Sequence, residues 1–307
     1  MKWIIIIGIL VVAVGGFASY VLSHEGPAQL NIANNLIPGE NDAREAVHDL
    51  AFAGDDGPKL NVWVPTLKSE KPHPVLVFYY GGSWNSGDKD FYEFVGRVYA
   101  SRGYVVVLPD YRLHPEAVFP EFMEDSAAAL AWTHDNVAQY GGDPNRIFLS
   151  GHSAGAYNAV MLALDMQWLG RHGKNADLIK GVAALSGPYD FHPFTSNSTR
   201  NSFGPAHDPA LTQPVNFARA DAPPLWLAHG SIDTTVRPRN SKILFGKIQE
   251  AGGEAEHKVY DGLGHIEPLM ALSKAFRSKA TVLADSIAFF DRTSAILDET
   301  DRATSGE

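Results

Sequence analysis

The sequence predicts a doubly wound α/β domain: a mostly parallel sheet with helices on both faces. From residue 75 onward, short continuous runs of Val, Ile and Leu alternate with longer stretches of helical pattern. Continuous apolarity suits strands buried on both faces, and strand-helix alternation brings each strand back parallel to the last through a right-handed crossover. No linker or repeat divides the chain between residues 44 and 295, so the 307 residues are expected to hold one large core. The composition, 45% hydrophobic and 20% charged, is that of an ordinary globular protein.

Taken in order, the chain opens with 20 residues free of charge, Trp3 to Leu22, which would extend about 30 Å as a helix and match a bilayer's hydrocarbon core. Residues 1–22 therefore read either as a retained signal anchor or as a cleaved signal peptide. In the second case Lys2 is the basic end and Gly16-Phe17-Ala18 the cleavage site. Both readings export everything after His24, leaving the protein extracytoplasmic, either secreted or in membrane contact through residues 3–22. Residues 23–43 are polar, carry the breakers Gly26-Pro27 and Pro38-Gly39, and read as a spacer or docking arm.

The catalytic domain is expected over 44–295. Ala46 to Ala53 and Lys59 to Val64 read as a hairpin around Gly54-Asp55-Asp56-Gly57, at the edge of the sheet. Strands then follow at Val75 to Tyr80, Tyr104 to Leu108 and Ile147 to Ser150, each leading into a helical stretch: Asp90 to Ser101, Phe122 to Gln139 and Ala154 to Leu169. Further strands are expected at Ile179 to Leu185, Leu225 to Ala228 and Glu256 to Tyr260. Residues 189–224 are too long for a simple connection and read as an insertion over the site, a candidate lid. Residues 296–307 read as a flexible tail.

The charge balance narrows the function. With 35 acidic and 25 basic side chains, a net charge of -10 and no dense Lys/Arg cluster, nucleic acid is not an expected partner. The absence of cysteine excludes a disulfide, a thiolate nucleophile and a Cys-based metal site. No His or carboxylate cluster shows metal-ligand spacing, so neither a metal nor another cofactor is expected. Asn197-Ser198-Thr199 matches the glycosylation sequon, which matters only in a glycosylating host.

Gly151-His152-Ser153-Ala154-Gly155 fits G-x-S-x-G and lies between an expected strand and an expected helix, where such a motif forms a sharp turn that lifts a nucleophilic hydroxyl above the sheet. A hydroxyl needs a base, and the base a carboxylate to hold its tautomer, in the chain order Ser, Asp or Glu, His. Five histidines lie downstream: His192, His207, His229, His257 and His265. His257 falls inside a strand and His229 at a strand end, which suits structural roles, while His192 and His207 belong to the insertion. His265, in the glycine-containing loop after Tyr260, is the best base. Asp233 lies beyond the carboxyl end of the Leu225 strand, where ligand groups gather in open α/β sheets; Asp221 precedes that strand and Asp261 sits beside His265, so both suit the role less. After Tyr80, the segment Gly81-Gly82-Ser83-Trp84 supplies a glycine turn whose amides, from Gly81 or Gly82 together with Ala154, are candidates for an oxyanion hole.

Four ordered segments resemble one family: Tyr80-Gly81-Gly82-Ser83-Trp84; Asp110-Tyr111-Arg112-Leu113 with Pro115-Glu116 and Phe119-Pro120; Tyr140 to Arg146 leading into the Ser153 motif; and Gly264-His265. Together they resemble α/β-hydrolase-fold carboxylesterases of the group containing hormone-sensitive-lipase-like esterases, kynurenine formamidases and prenylcysteine methylesterases. The resemblance implies an α/β-hydrolase fold and triad roles for Ser153, Asp233 and His265. It departs at Tyr80, where the family usually has His, so Tyr80 either braces the loop or lends its hydroxyl to the oxyanion. The expected function is cleavage of a small-molecule carboxylic ester through an acyl-enzyme on Ser153. An amidase, arylformamidase or peptidase would use the same triad, and a catalytically silent binding protein of the same fold is the alternative from another class.

Overall fold

The computed structural model describes residues 26–305, so the expected signal or anchor segment lies outside the described residues. Among the described residues no helix is long and apolar enough to cross a membrane. Eight strands form one sheet: β1 (Ala43–Ala51), β2 (Lys59–Pro65), β3 (His73–Tyr79), β4 (Val105–Pro109), β5 (Gly142–His152), β6 (Ile179–Leu185), β7 (Leu225–Gly230) and β8 (Ala255–Tyr260). Their order is β1-β2-β4-β3-β5-β6-β7-β8. β2 pairs antiparallel with both neighbours, and every pairing from β4 to β8 is parallel.

The expected α/β sheet is thus present, with the hairpin at one edge. Strands β3 to β7 are buried along most of their length, which is why their sequences run apolar without alternation. Nine helices flank the sheet among the described residues: α1 (Gly26–Leu36), α2 (Glu93–Ala100), α3 (Glu121–Asn136), α4 (Ala154–Leu164), α5 (Gln167–Gly170), α6 (Asn197–Phe203), α7 (Arg239–Glu250), α8 (Glu267–Met270) and α9 (Val282–Ser305). The stretch expected as one helix to Leu169 breaks at Asp165, whose backbone is extended.

The structure refines three of these expectations. Within the segment expected as a spacer or docking arm the two breaker pairs bound a helix: Pro27 sits in the first turn of α1, where proline is tolerated, and Pro38-Gly39 follow its end. Helix α1 buries Ala28, Leu30 and Asn34, while Asn31 donates to the Asp90 carbonyl at 3.1 Å and to the Glu93 carboxylate at 3.2 Å. Residues 296–305, expected as a tail, continue α9, which runs to Ser305 with no Gly or Pro to interrupt it. Residues 189–224 form a packed cap built from α6 and two single 3-10 turns, Pro209–Thr212 and Pro214–Phe217. Phe203 of the cap is fully buried and meets the rings of Trp84, Tyr157 and Phe191.

The docking of α1 can be tested at Asn34, which is fully buried and accepts a hydrogen bond from the Lys274 amide at 2.8 Å. Asn34→Ala leaves that amide unpaired and is expected to cost about 1–3 kcal/mol, read as a lower Tm. An unchanged Tm would mean that α1 is not held against the domain.

Candidate active site

Strand β5 ends at His152 and α4 starts at Ala154, so Ser153 alone makes the turn, at φ 54° and ψ -118°. A non-glycine residue holds this backbone only where its surroundings enforce it. The flanking glycines provide the room. A Cβ on Gly151 would stand 2.5 Å from the Gly155 carbonyl, and one on Gly155 would stand 2.0 Å from the Tyr79 carbonyl oxygen.

Three residues far apart in the chain meet above the carboxyl ends of the strands. His265 Nε2 lies 2.9 Å from Ser153 Oγ, and His265 Nδ1 lies 2.7 Å from Asp233 Oδ2. A carboxylate can only accept, so the proton sits on Nδ1 and leaves Nε2 to accept from the serine hydroxyl. This tautomer is the one a general base requires. The amides of Thr235 and Val236 each donate to Asp233 Oδ1 at 2.9 Å. Burial pushes the Asp233 carboxyl up, but the hydrogen bonds from His229 and His265 outweigh it and hold the group well below the usual carboxylate range.

Two histidines beside these three were not identified from sequence. His229, placed among the structural histidines, is buried; its Nε2 donates to the Val236 carbonyl at 2.7 Å and stands 3.2 Å from Asp233 Oδ2, while Ser241 Oγ meets its Nδ1 at 2.7 Å. The signal was available, since His229 and Asp233 are four residues apart in one strand-end turn. His152, the variable position of the serine motif, donates from Nε2 to the His265 carbonyl at 2.9 Å and so pins the backbone of His265. Burial, reinforced by neighbouring His265, pulls His152 from its ordinary 6.5 down to about 3, so it stays neutral. The remaining candidates lie elsewhere: His257 stacks on Phe245, Asp221 pairs with Arg219 and Asp261 accepts from Ser231.

The glycine turn backs directly on Ser153, for a Cβ on Gly81 would stand 3.2 Å from Ser153 Cβ. Gly82 has φ 141°, and Ser83 and Trp84 follow at 55° and 58°. The Trp84 indole N–H anchors this turn to α4 through Asn158 Oδ1 at 3.0 Å. Among the described residues no backbone bond outside the helices and strands is donated by the Gly81, Gly82 or Ala154 amide. Tyr80 is buried, stacks on Tyr111 at 4.5 Å and donates to the Tyr111 carbonyl at 3.3 Å, while Tyr111 donates back to the Tyr80 carbonyl at 2.8 Å. Its hydroxyl is engaged in bracing the loop rather than facing a substrate oxygen.

Two cavities meet at Ser153. One of about 200 Å³ is lined by Gly81, Gly82, Tyr92, His265, Ile266 and Pro27 of α1. The other, about 520 Å³, opens between the cap and the Thr234 to Asn240 segment. Among the described residues one group of potential metal ligands, His48, Asp49 and Asp90, lies outside the lining of both cavities. The buried Lys89 ammonium pairs with two of them, 2.6 Å from Asp49 and 3.0 Å from Asp90.

Comparison with known proteins adds the family context. The BD-FAE family model matches residues 60–248. A probable isoprenylcysteine alpha-carbonyl methylesterase of Oryza sativa subsp. japonica is 29% identical over 68% of this chain and 54% of its own length. Esterase LipQ of Mycobacterium tuberculosis is 29% identical over 63% of this chain and 50% of its own. The chain thus spans about half the length of the curated relatives it matches. The crystal structure of esterase B from Lactobacillus rhamnosis superposes with a TM-score of 0.76 at 19% identity, covering 95% of this chain and 98% of that one, and shows that the fold is shared.

Two variants test the supports around the triad. The folded-state value of His152 lies below its unfolded value, so its contribution to stability is present above pH 6.5 and is lost as pH falls toward 3. Unfolding free energy should decline over that window by up to about 1.4 kcal/mol per pH unit from this residue alone. His152→Gln, which keeps a donor but cannot titrate, should flatten the decline in a denaturant series; an unaltered slope would place the buried proton elsewhere. Tyr80→Phe should lower stability by about 1 kcal/mol with turnover essentially retained, whereas a large drop in kcat would assign its hydroxyl to the oxyanion.

Proposed function

Because the chain belongs to the BD-FAE family, we propose that it is a serine carboxylesterase acting on small-molecule esters through an acyl-enzyme. The observation that carries this reading is the unbroken hydrogen-bond chain from Ser153 Oγ through His265 to Asp233 at the junction of two cavities. The printed names of the relatives, methylesterase and esterase, agree with it.

In this mechanism Ser153 Oγ attacks the ester carbonyl carbon while His265 Nε2 takes its proton. The negative charge that develops on the carbonyl oxygen is received by the amides of Gly82 and Ala154, the latter at the positive end of α4. Asp233 stays ionised and balances the imidazolium, which then gives its proton to the departing alcohol oxygen as the carbon–oxygen bond breaks. Water attacks the acyl-enzyme by the same route, with His265 again accepting a proton and returning it to Ser153.

Ser153→Ala should reduce kcat for a p-nitrophenyl ester at least about a thousandfold while leaving the unfolding curve intact. A fluorophosphonate probe should label the wild-type protein at Ser153 and not the variant. Turnover near wild type in the variant would remove Ser153 from the role, and absence of labelling in the wild type would favour a silent binding protein.

A further inference from the structure

The two cavities at Ser153 differ in chemistry. The smaller presents glycine backbone, Phe91, Tyr92 and Ile266. The larger is lined by Arg237 and Arg239, both exposed, and by Ser196, Ser198 and Thr199 from the cap. Both arginines flank Pro238 at the start of α7, a 12-residue helix, so the helix adds its positive end to theirs.

The described arginines divide into those that pair with a carboxylate and those that do not. Arg102, Arg112, Arg171, Arg219, Arg277 and Arg292 each sit against a carboxylate. Among the described residues neither Arg237 nor Arg239 does, although the protein carries a net charge of -10. Two other ionisable groups line the cavity, Asp190 and His192. Asp190 forms no ion pair with either guanidinium, and its amide is tied to Asn240 at 2.9 Å. The wall that opens onto the nucleophile therefore offers two free planar cations against one carboxylate. Free guanidinium groups match a carboxylate through paired, charge-assisted hydrogen bonds.

We propose that the larger cavity binds a carboxylate carried by the substrate, held by Arg237 and Arg239, so that the enzyme selects anionic esters over neutral ones of the same shape. The inference rests on the carboxylesterase reading above. The carboxylate could belong to the acyl half or to the alcohol half of the ester, and matched substrates separate the two. For the acyl half, p-nitrophenyl hemisuccinate is compared with p-nitrophenyl butyrate; for the alcohol half, p-acetoxybenzoate is compared with p-acetoxybenzamide.

In the wild type, kcat/KM should favour the charged member of one pair by about tenfold, the size of one charge-assisted hydrogen bond, mainly through KM. Added salt should erode that preference. In the Arg237→Ala, Arg239→Ala double variant the charged-to-neutral ratio should fall to near one, and the corresponding double lysine variant should restore part of it. A wild-type ratio at or below one in both pairs, or a ratio that survives the double alanine change, overturns the proposal. Should no ester in either pair be hydrolysed, the hydrolase reading fails on its own account. Calorimetric titration of Ser153→Ala protein with p-acetoxybenzoate and with its amide, and with the two succinate-series esters, then decides the cavity separately: tighter binding of an anion supports it, and equal binding in both pairs overturns it.

Discussion

Helix α4 approaches strand β3 so closely that residue 155 has no space for a side chain, because a Cβ there would stand 2.0 Å from the Tyr79 carbonyl oxygen. That approach sets the position of everything at the carboxyl edge of the sheet. With α4 pressed onto the strand and β5 running in beneath it, one residue must reverse the chain, and Ser153 does so at φ 54°. Strain of this kind, on the order of 1–3 kcal/mol, survives because the packing around it is over-determined. The fully buried side chains of Tyr157, Val160 and Met161 anchor the helix, and the Ser153 amide bonds to Leu185 of β6 at 2.9 Å. The result is a hydroxyl held beside the first free amide of a helix.

The groups that meet this hydroxyl depend on complete hydrogen bonding. Asp233 is buried, and an isolated buried carboxylate would be costly. Here it accepts from two backbone amides and from His265, with His229 Nε2 3.2 Å away, so the charge is the favoured state and His265 keeps its tautomer. His152 and His229 each commit a ring N–H to a carbonyl, at His265 and Val236. They act on the loops that carry His265 and Asp233. The glycine turn is secured in the same manner from outside, through Trp84 to Asn158 and through the reciprocal Tyr80 and Tyr111 bonds. On its far side Lys89 is enclosed by Asp49, Asp90 and Asp110, and burial pushes the Asp110 carboxyl up to about 6 against the pull of that lysine.

Parts of this arrangement were legible before any coordinates. The strand expected at Ile179 to Leu185 coincides residue for residue with β6, whose run from Gly181 to Leu185 is buried and carries no polar side chain. The turn at Ser153 was legible for a related reason: glycine, serine and glycine between an apolar strand and an apolar helix express a steric demand that acts over five residues. The order of Ser153, Asp233 and His265, each beyond a strand end, followed from a parallel sheet that gathers all such ends at one edge. Helix α1 is less legible, since Gly26-Pro27 and Pro38-Gly39 are as common in loops as at the limits of a helix.

Taken alone, the sequence determined the strands, the parallel sheet and the chain order of the groups at its edge, since each follows from local apolar periodicity or from steric rules within a single turn. Only the tertiary structure decided which partners those groups have: His152 on the His265 carbonyl across 113 residues, Asn34 on the Lys274 amide across 240, and Lys89 among three carboxylates from separate segments. It likewise decided that Arg237 and Arg239 face a cavity without an acidic partner. Local patterning reports which side of an element meets water; the pairing of distant polar groups depends on how loops close in space, and no window of sequence contains that information.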